Sequence, residues 1–357
     1  MTVALERFDT YVERCLYHPS AGFYARGRGA GRRRDFITSP EVGPLYAAVL
    51  GRAVDGWWAA LGQPEELTVY DVGSGPGTLA DALARHRGPA AAAIRVVAVD
   101  PAPDGPRPGG SGPAGSAADA RRNAERVPAL PDDLTGAVVV ANELLDNLPF
   151  RIVRRDGDGW AELYVAEADD RPRPVWTAAG AEDPDPLGAL GVPSGQVPEG
   201  RAVPLLDAAR TWVAATVERG AAVVLVVDYG ADTTAELGVR GGWLRTYRDH
   251  RRGHDPFVPP GSCDITTDLA VDQLPVPTRT ATQAEALQRW GIDELVAEGR
   301  RVWAARAARP DLEAMAMRSR VAEAGALLDP EGLGGWLVLE WLSDDRIRAA
   351  DAPIGCP

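Results

Sequence analysis

The chain has no lysine, and all 38 of its lysine-plus-arginine positions are arginine. Alanine is abundant beside it, so the bias reads as a coding preference and no function is drawn from it. Cysteine is scarce. Cys15, Cys263 and Cys356 are the only three, too few and too far apart for a disulfide framework or a metal knuckle, and no metal is expected. No apolar run approaches the ~20 residues a bilayer-spanning helix needs. The N-terminal stretch shows neither the apolar core of a secretory signal nor an arginine-rich amphipathic leader. A protein acting in the cytoplasm, without a membrane, is expected. Positive charge also falls short: the formal net charge of -13 is spread along the sequence, which argues against an obligatory nucleic-acid partner and tolerates a basic substrate.

What is present is a real core. A hydrophobic content of 45% over 357 residues suits one large domain with insertions or a cap. Helical spacing runs over Thr2 to Leu16 and Tyr46 to Leu61, flanking a Gly- and Arg-rich loop, Tyr17 to Pro44, of the sort that serves a site. Strands alternate with helices after that: Leu67 to Val72, helix Thr78 to Arg87, Ile94 to Val99, Ala137 to Ala141, helix Val203 to Arg219 and Ala222 to Val227. Continuous β-branched runs suit a mostly parallel sheet covered on both faces. Pro101 to Ala120 and Asp169 to Gly200, dense in Pro, Gly and acids, read as loops. Helices near Glu285 to Arg309 and Leu312 to Leu328 and a strand Gly335 to Leu342 complete the tail. The division expected is a helical cap with a site loop (1–62), the first half of an α/β doubly wound, Rossmann-like domain (63–165), a variable insertion (166–202) and the second half (203–357).

Strand Leu67 to Val72 runs into Gly73-Ser74-Gly75-Pro76-Gly77 and then a helix, presenting backbone amides where no side chain blocks a nucleotide-like ligand. The NAD fingerprint wants Gly or Ala three residues after its second glycine, and that position is Thr78. The spacing therefore favours S-adenosylmethionine over NAD. Asp100 ends the next strand at about the interval expected of a ribose-binding acid. The bland alternatives are a plain tight turn for the glycines and a solvated strand-end acid for Asp100.

After Ala137 to Ala141 comes Asn142-Glu143-Leu144-Leu145-Asp146-Asn147-Leu148-Pro149, at the same carboxyl end. With Leu144 and Leu145 turned inward, Glu143 and Asp146 project together and can clamp a cation. Methyl transfer from a sulfonium is an in-line displacement, so positioning dominates. A carboxylate pair can orient a guanidinium and help remove its proton. The plainer reading has Asn142 and Asp146 capping the turn.

Several stretches together resemble the MidA-like S-adenosylmethionine-dependent methyltransferases, a family that includes the mitochondrial arginine methyltransferase assisting respiratory complex I assembly. They are Tyr11 to Pro19 with Gly22-Phe23-Tyr24, Asp35 to Glu41, Asp71 to Leu79, Ala141 to Pro149, Asp228-Tyr229-Gly230, Leu244 to His250, Pro260-Gly261 and Asp264-Ile265-Thr266. The resemblance implies a class I methyltransferase sheet with added helices. It implies cofactor contacts from Asp71, Gly73, Ser74, Gly75, Gly77 and Asp100, with Thr38, Ser39 and Glu41 at the cofactor mouth. Asn142, Glu143 and Asp146 would line the acceptor side, and Tyr247, His250 and Asp264 are substrate-side candidates, though a surface loop is the plainer place for His250. The chain departs from the family pattern at Asp71, usually Glu, at Asp100-Pro101-Ala102-Pro103, usually Glu-x-Ser-Pro, and at Asp268-Leu269-Ala270-Val271, usually His-Val-Asp-Phe. The last departure removes a histidine and an acid from a region that the resemblance puts near the substrate cleft.

The leading expectation is methyl transfer to arginine of a protein. Two alternatives stand beside it: a small-metabolite acceptor with the same cofactor, and a non-catalytic assembly factor that keeps the S-adenosylmethionine pocket. Partners are thus a methyl acceptor, protein or small molecule, with a homodimer left open.

Overall fold

The computed structural model describes residues 5–26, 38–101, 124–168, 171–180, 183–248 and 251–350. They divide into two compact units, one drawn from Ile37–Asn142, Thr216–Val227 and Pro277–Pro357, the other from Met1–Phe36, Glu143–Ala215 and Asp228–Val276. This interleaved division differs from the four successive segments expected from the sequence.

The first unit is built on a seven-stranded sheet: β1 (Leu67–Val72), β2 (Ile94–Val99), β3 (Glu125–Val127), β4 (Val138–Asn142), β5 (Val223–Asp228), β6 (Arg279–Thr282) and β7 (Leu337–Leu342). Their spatial order is β6-β7-β5-β4-β1-β2-β3. The pairs β1/β2, β1/β4, β2/β3 and β4/β5 are parallel, and β6/β7 is antiparallel. Val138 to Ala141 and Val223 to Val227 are buried throughout, the continuous apolar run expected of strands covered on both faces. Helix Pro44–Ala60 begins with proline, whose missing N–H costs nothing there. It sends Leu45, Val49, Leu50, Val54 and Trp57 into the core shared with Val69, Val96, Val138 and Leu225. The free Leu45 N–H at its start donates to the buried Glu323 carboxylate at 2.8 Å, which satisfies one of the orphan donors of the first turn.

The second unit is mostly antiparallel. Leu5–Arg7, Gly159–Ala168, Arg151–Asp156 and Ala202–Leu205 are sheet neighbours in that order, with Arg171–Ala178 also on Gly159–Ala168. Val153, Trp160, Val203 and Leu205 form its apolar cluster with Leu187, Val192 and Val197. Leu244–Arg248 pairs with both Arg251–Gly253 and Asp264–Thr267.

Several sequence readings change. The first helix begins at Phe8, because Leu5–Arg7 is a strand. The helix after the glycine loop stops at Ala84. Val203 to Arg219 splits into strand Ala202–Leu205 and helix Asp207–Glu218. Asp169 to Gly200, read as loop, contains strand Arg171–Ala178, whose partner strand supplies the order that its proline-rich composition hid. Pro101 to Ala120 lies, beyond its first residue, outside the described residues. Among the described residues, no helix is long and apolar enough to cross a membrane.

Trp57 is 1% exposed and meets Trp290 edge to face, ring centroids 6.0 Å apart. Trp57→Ala is expected to cost about 3–5 kcal/mol, read as a lowered denaturant midpoint with an unchanged slope.

Candidate active site

In the parallel-sheet unit, β1 delivers the chain into the glycine loop. Gly73, Gly75 and Gly77 have φ of 70, 49 and 79°, left-handed values that side chains resist. Gly73 N–H donates to Val99 O at 2.9 Å and Gly77 N–H to Ser74 O at 2.8 Å, so the loop is a folded turn before helix Thr78–Ala84. A Cβ on Gly75 would meet nothing within 4 Å, and Asp100 Oδ2 accepts from Gly75 N–H at 3.0 Å. The strand-end acid and the glycine loop are therefore brought together. Ser74 Oγ is buried without a hydrogen-bond partner.

Asp71 is buried beneath this loop and accepts from Ala80 N–H at 3.1 Å. Burial pushes its carboxyl up to about 7, because leaving water disfavours the charged form. Glu41 Oε1 accepts from the Thr78 hydroxyl at 2.6 Å, tying the segment Thr38 to Glu41 to the helix that the glycines open. Ser39 is wholly buried, with its hydroxyl donating to Gln283 at 2.8 Å, so it serves as an internal tie. Thr38 is buried as well. Asn142, the last residue of β4, accepts from Tyr46 Oη at 2.6 Å.

In the antiparallel unit the chain resumes at Glu143, whose φ of 54° is one of two positive values at non-glycine residues among the described ones. Such a conformation costs about 1–3 kcal/mol and persists only where its surroundings over-determine it. The turn Leu145–Asn147 follows. Its cap does not come from Asn142 or Asp146. The Asp228 carboxylate, 82 residues on from Asp146, accepts from Leu145 N–H at 3.1 Å and Asp146 N–H at 3.2 Å, and its other oxygen takes Tyr229 N–H at 2.9 Å.

That bracing leaves the Asp146 side chain to the interior. One oxygen accepts from Tyr229 Oη, which lies 2.7 Å from the Thr266 hydroxyl. The other is buried with no partner. Asp264, wholly buried, accepts through Oδ1 from Tyr24 Oη at 3.1 Å and Asn147 Nδ2 at 3.1 Å, and its Oδ2 is likewise unpartnered. Burial first, and the nearby Asp146 second, push Asp264 up to about 8. Burial also raises Asp146, and burial with the Asp146 and Glu143 charges holds Asp228 well above the carboxylate range. The Arg245 guanidinium lies 4.4 Å from the Tyr229 ring centre and 2.5 Å from Asp268. Tyr247 stands on the same strand, directly opposite Asp264. His250 lies outside the described residues.

Sequence reasoning named Glu143, Asp146, Tyr247 and Asp264, which fall in one unit, and missed Asp228, Tyr229 and Tyr24 as site residues. The sequence held a signal for the first two: an acid and a tyrosine closing the apolar run Val223 to Val227.

The profile of the family described as "Putative S-adenosyl-L-methionine-dependent methyltransferase" matches residues 49–290, more than half of the chain. The chain belongs to this family of S-adenosylmethionine-dependent methyltransferases. The likeness to MidA-like proteins drawn from the sequence is thereby borne out. Among curated relatives of this methyltransferase, "Protein arginine methyltransferase NDUFAF7 homolog, mitochondrial" of Drosophila melanogaster is 26% identical over 72% of this chain and 63% of its own length. The Xenopus tropicalis protein of that name is 24% identical over 79% of this chain and 71% of its own. The chain thus matches less than two thirds of the length of the fly relative. A solved Burkholderia thailandensis protein bound to S-adenosyl-homocysteine covers 95% of this chain and 88% of its own, at 26% identity and a TM-score of 0.73. A native structure from the same organism gives 25% and 0.72.

The methyltransferase's cofactor is S-adenosylmethionine, and the glycine loop fits it on its own geometry. Open space stands over Gly75, an unpartnered hydroxyl is buried at Ser74, and a carboxylate is held at Asp100.

The raised Asp264 carboxyl predicts a sign. The folded state holds a proton that the unfolded chain gives up near pH 4, so this contribution to stability is full below about pH 4 and is lost as pH rises toward about 8. Asp264→Asn keeps an acceptor oxygen and removes the titration. Its unfolding free energy is expected to fall less than the wild type's over that window, and an unchanged slope would show that Asp264 does not carry the effect.

Proposed function

We propose that this methyltransferase transfers the methyl group of S-adenosylmethionine to the guanidinium of an arginine in a protein partner. The observation that carries the reading is the buried acid cluster of the antiparallel unit. Asp146 accepts from the Tyr229 hydroxyl, Asp228 from the Tyr229 N–H, and Asp264 lies near enough to Asp146 to be raised by its charge. An internal guanidinium, Arg245, already lies against the Tyr229 ring, so that surface accepts the planar cation in question. The names of the curated relatives support the same acceptor.

On this reading the parallel-sheet unit is the cofactor domain, and its strand order, reversing at β1, supports a doubly wound, Rossmann-like class. Gly73, Ser74, Gly75 and Gly77 would cradle the cofactor with Asp100 on its ribose hydroxyls. Asp71 would pin the helix start from below, and Glu41, with Thr38 and Ser39, would brace Thr78 at the mouth. The cofactor supplies a methyl carbon bound to a positively charged sulfur, ready for displacement. Glu143 would orient the guanidinium and take its proton, freeing a nitrogen lone pair for methylation. Asp146 holds a second N–H, with Tyr229 fixing the carboxylate. Asn142 sets the strand end from which Glu143 departs, while Asp264 and Tyr247 shape the acceptor side.

Labelled S-adenosylmethionine incubated with the protein and a cell lysate is expected to mark a protein band whose hydrolysate contains methylarginine. Label confined to small molecules would replace the acceptor, and a band labelled on another side chain would end the arginine reading.

Two variants separate the roles. Gly75→Val puts a branched side chain into the open space over the loop, and calorimetry is expected to show cofactor binding abolished, while the fold bears only the roughly 1–2 kcal/mol of a left-handed φ. Glu143→Gln is expected to bind cofactor normally and to turn over roughly a hundredfold more slowly or worse. Wild-type turnover in that variant would move the proton acceptor elsewhere.

A further inference from the structure

The strand Leu244–Arg248 has two faces, and only one belongs to the acid cluster. Side chains alternate along a strand. Arg245, stacked on Tyr229, and Tyr247 take one side; Thr246 and Arg248 take the other. Thr246 and Arg248 from that reverse side border a cavity of about 580 Å³, together with Arg251, Arg252, Asp255 and Cys263.

Its charge is unusual for this chain. Arg248 and Arg251 are directly opposite each other in the antiparallel register, where like charges repel. Among the described residues neither forms an ion pair, in a sequence that carries 51 acids against 38 arginines. Other arginines of the same unit are paired: Arg151 with Glu162 and Asp183, Arg14 with Glu6. The one carboxylate on the cavity wall, Asp255, is engaged with the Phe257 N–H at 2.9 Å. Val258 and the buried Cys263 add an apolar wall.

We propose that this cavity binds a small organic phosphate, with the Arg248 and Arg251 guanidiniums gripping the phosphate group. Two forks rising from opposed positions suit a tetrahedral oxyanion, which has oxygens enough for both, where a carboxylate has two. The volume is that of a small-molecule pocket, and the apolar wall takes the organic portion. The bound anion removes the repulsion between the two cations.

Calorimetric titration of the full chain with phenyl phosphate and with inorganic phosphate, at matched ionic strength, tests this. Phenyl phosphate is expected to bind at one site per chain, inorganic phosphate more weakly, and acetate not measurably. Arg248→Gln and Arg251→Gln are each expected to weaken phenyl phosphate binding roughly tenfold or more. Arg251→Lys, which keeps the charge and loses the fork, is expected to fall between. The phosphate-free melting temperature of the Gln variants should be no lower than wild type, because a like-charge pair has been relieved; this separates lost binding from lost fold. The proposal is overturned by the absence of binding in the wild type, by equal affinity in the Gln variants, or by acetate binding as well as phosphate, which would mark a general salt effect.

Discussion

The Asp228 carboxylate is the contact on which the acidic half of the site depends. It ends the most apolar strand of the sheet and, with two oxygens, captures three backbone N–H groups, those of Leu145, Asp146 and Tyr229. One side chain thus fixes a turn and the start of a second segment that are far apart in sequence. Without it, a tight turn buried at Leu145 would leave amides without acceptors, at a cost of about 1–3 kcal/mol each. With it, the Asp146 side chain is released from capping and faces Tyr229. The left-handed backbone at Glu143 is the counterpart of this bracing, since the chain must bend sharply between the end of β4 and a turn already held from elsewhere.

A cluster so arranged stores electrostatic cost. Asp146, Asp228 and Asp264 are each lifted above the usual carboxylate range by burial first, with neighbouring negative charge adding to it for Asp228 and Asp264. Asp146 and Asp264 each also leave one oxygen unpartnered. Both features are expensive in a fold that needs only stability. A cation offering several N–H donors would satisfy the oxygens and pull the carboxyls back toward ionisation, which is why the proposed acceptor suits this geometry. Arg245 shows the tolerable form of such a partner, one whose charge is itself balanced by Asp268.

How much of this the sequence disclosed depended on the range of the interactions involved. Strands Leu67–Val72 and Ile94–Val99 were legible to the residue, because each is a short run dominated by β-branched and apolar residues and bounded by a turn signal, Gly73 after one and Pro101 after the other. The glycine loop was legible because positive φ admits few residue types. The antiparallel sheet was not. Arg151–Asp156 and Gly159–Ala168 mix charged and apolar side chains without a strict period and meet at Gly157-Asp158, with Gly157 at φ 57°; only that Gly-Asp turn was a readable hairpin signal. Arg171–Ala178 could be ordered only by its partner strand. At the site, Glu143 and Asp146 were found from a local cluster, whereas the role of Asp228 required a contact spanning 82 residues, which no local pattern encodes. Ser39 shows the converse: a residue in a matched motif whose hydroxyl the fold spends internally on Gln283.

The strand Leu244–Arg248 connects the two charge problems of this unit. One of its faces brings a guanidinium to a tyrosine beside buried acids; the other sets Arg248 opposite Arg251 in the register, neither of them in an ion pair among the described residues. Alternation ties them to a single register, so a slip of one residue would exchange the faces and place Leu244 or Thr246 against Tyr229. The register is held on both sides, by Arg251–Gly253 and by Asp264–Thr267, and the latter also carries Asp264 into the acid cluster. Any ligand that neutralises the Arg248 and Arg251 pair removes a repulsion acting across that same ladder. The stability of the strand that positions Arg245 over Tyr229 is for that reason coupled to the charge on its opposite face.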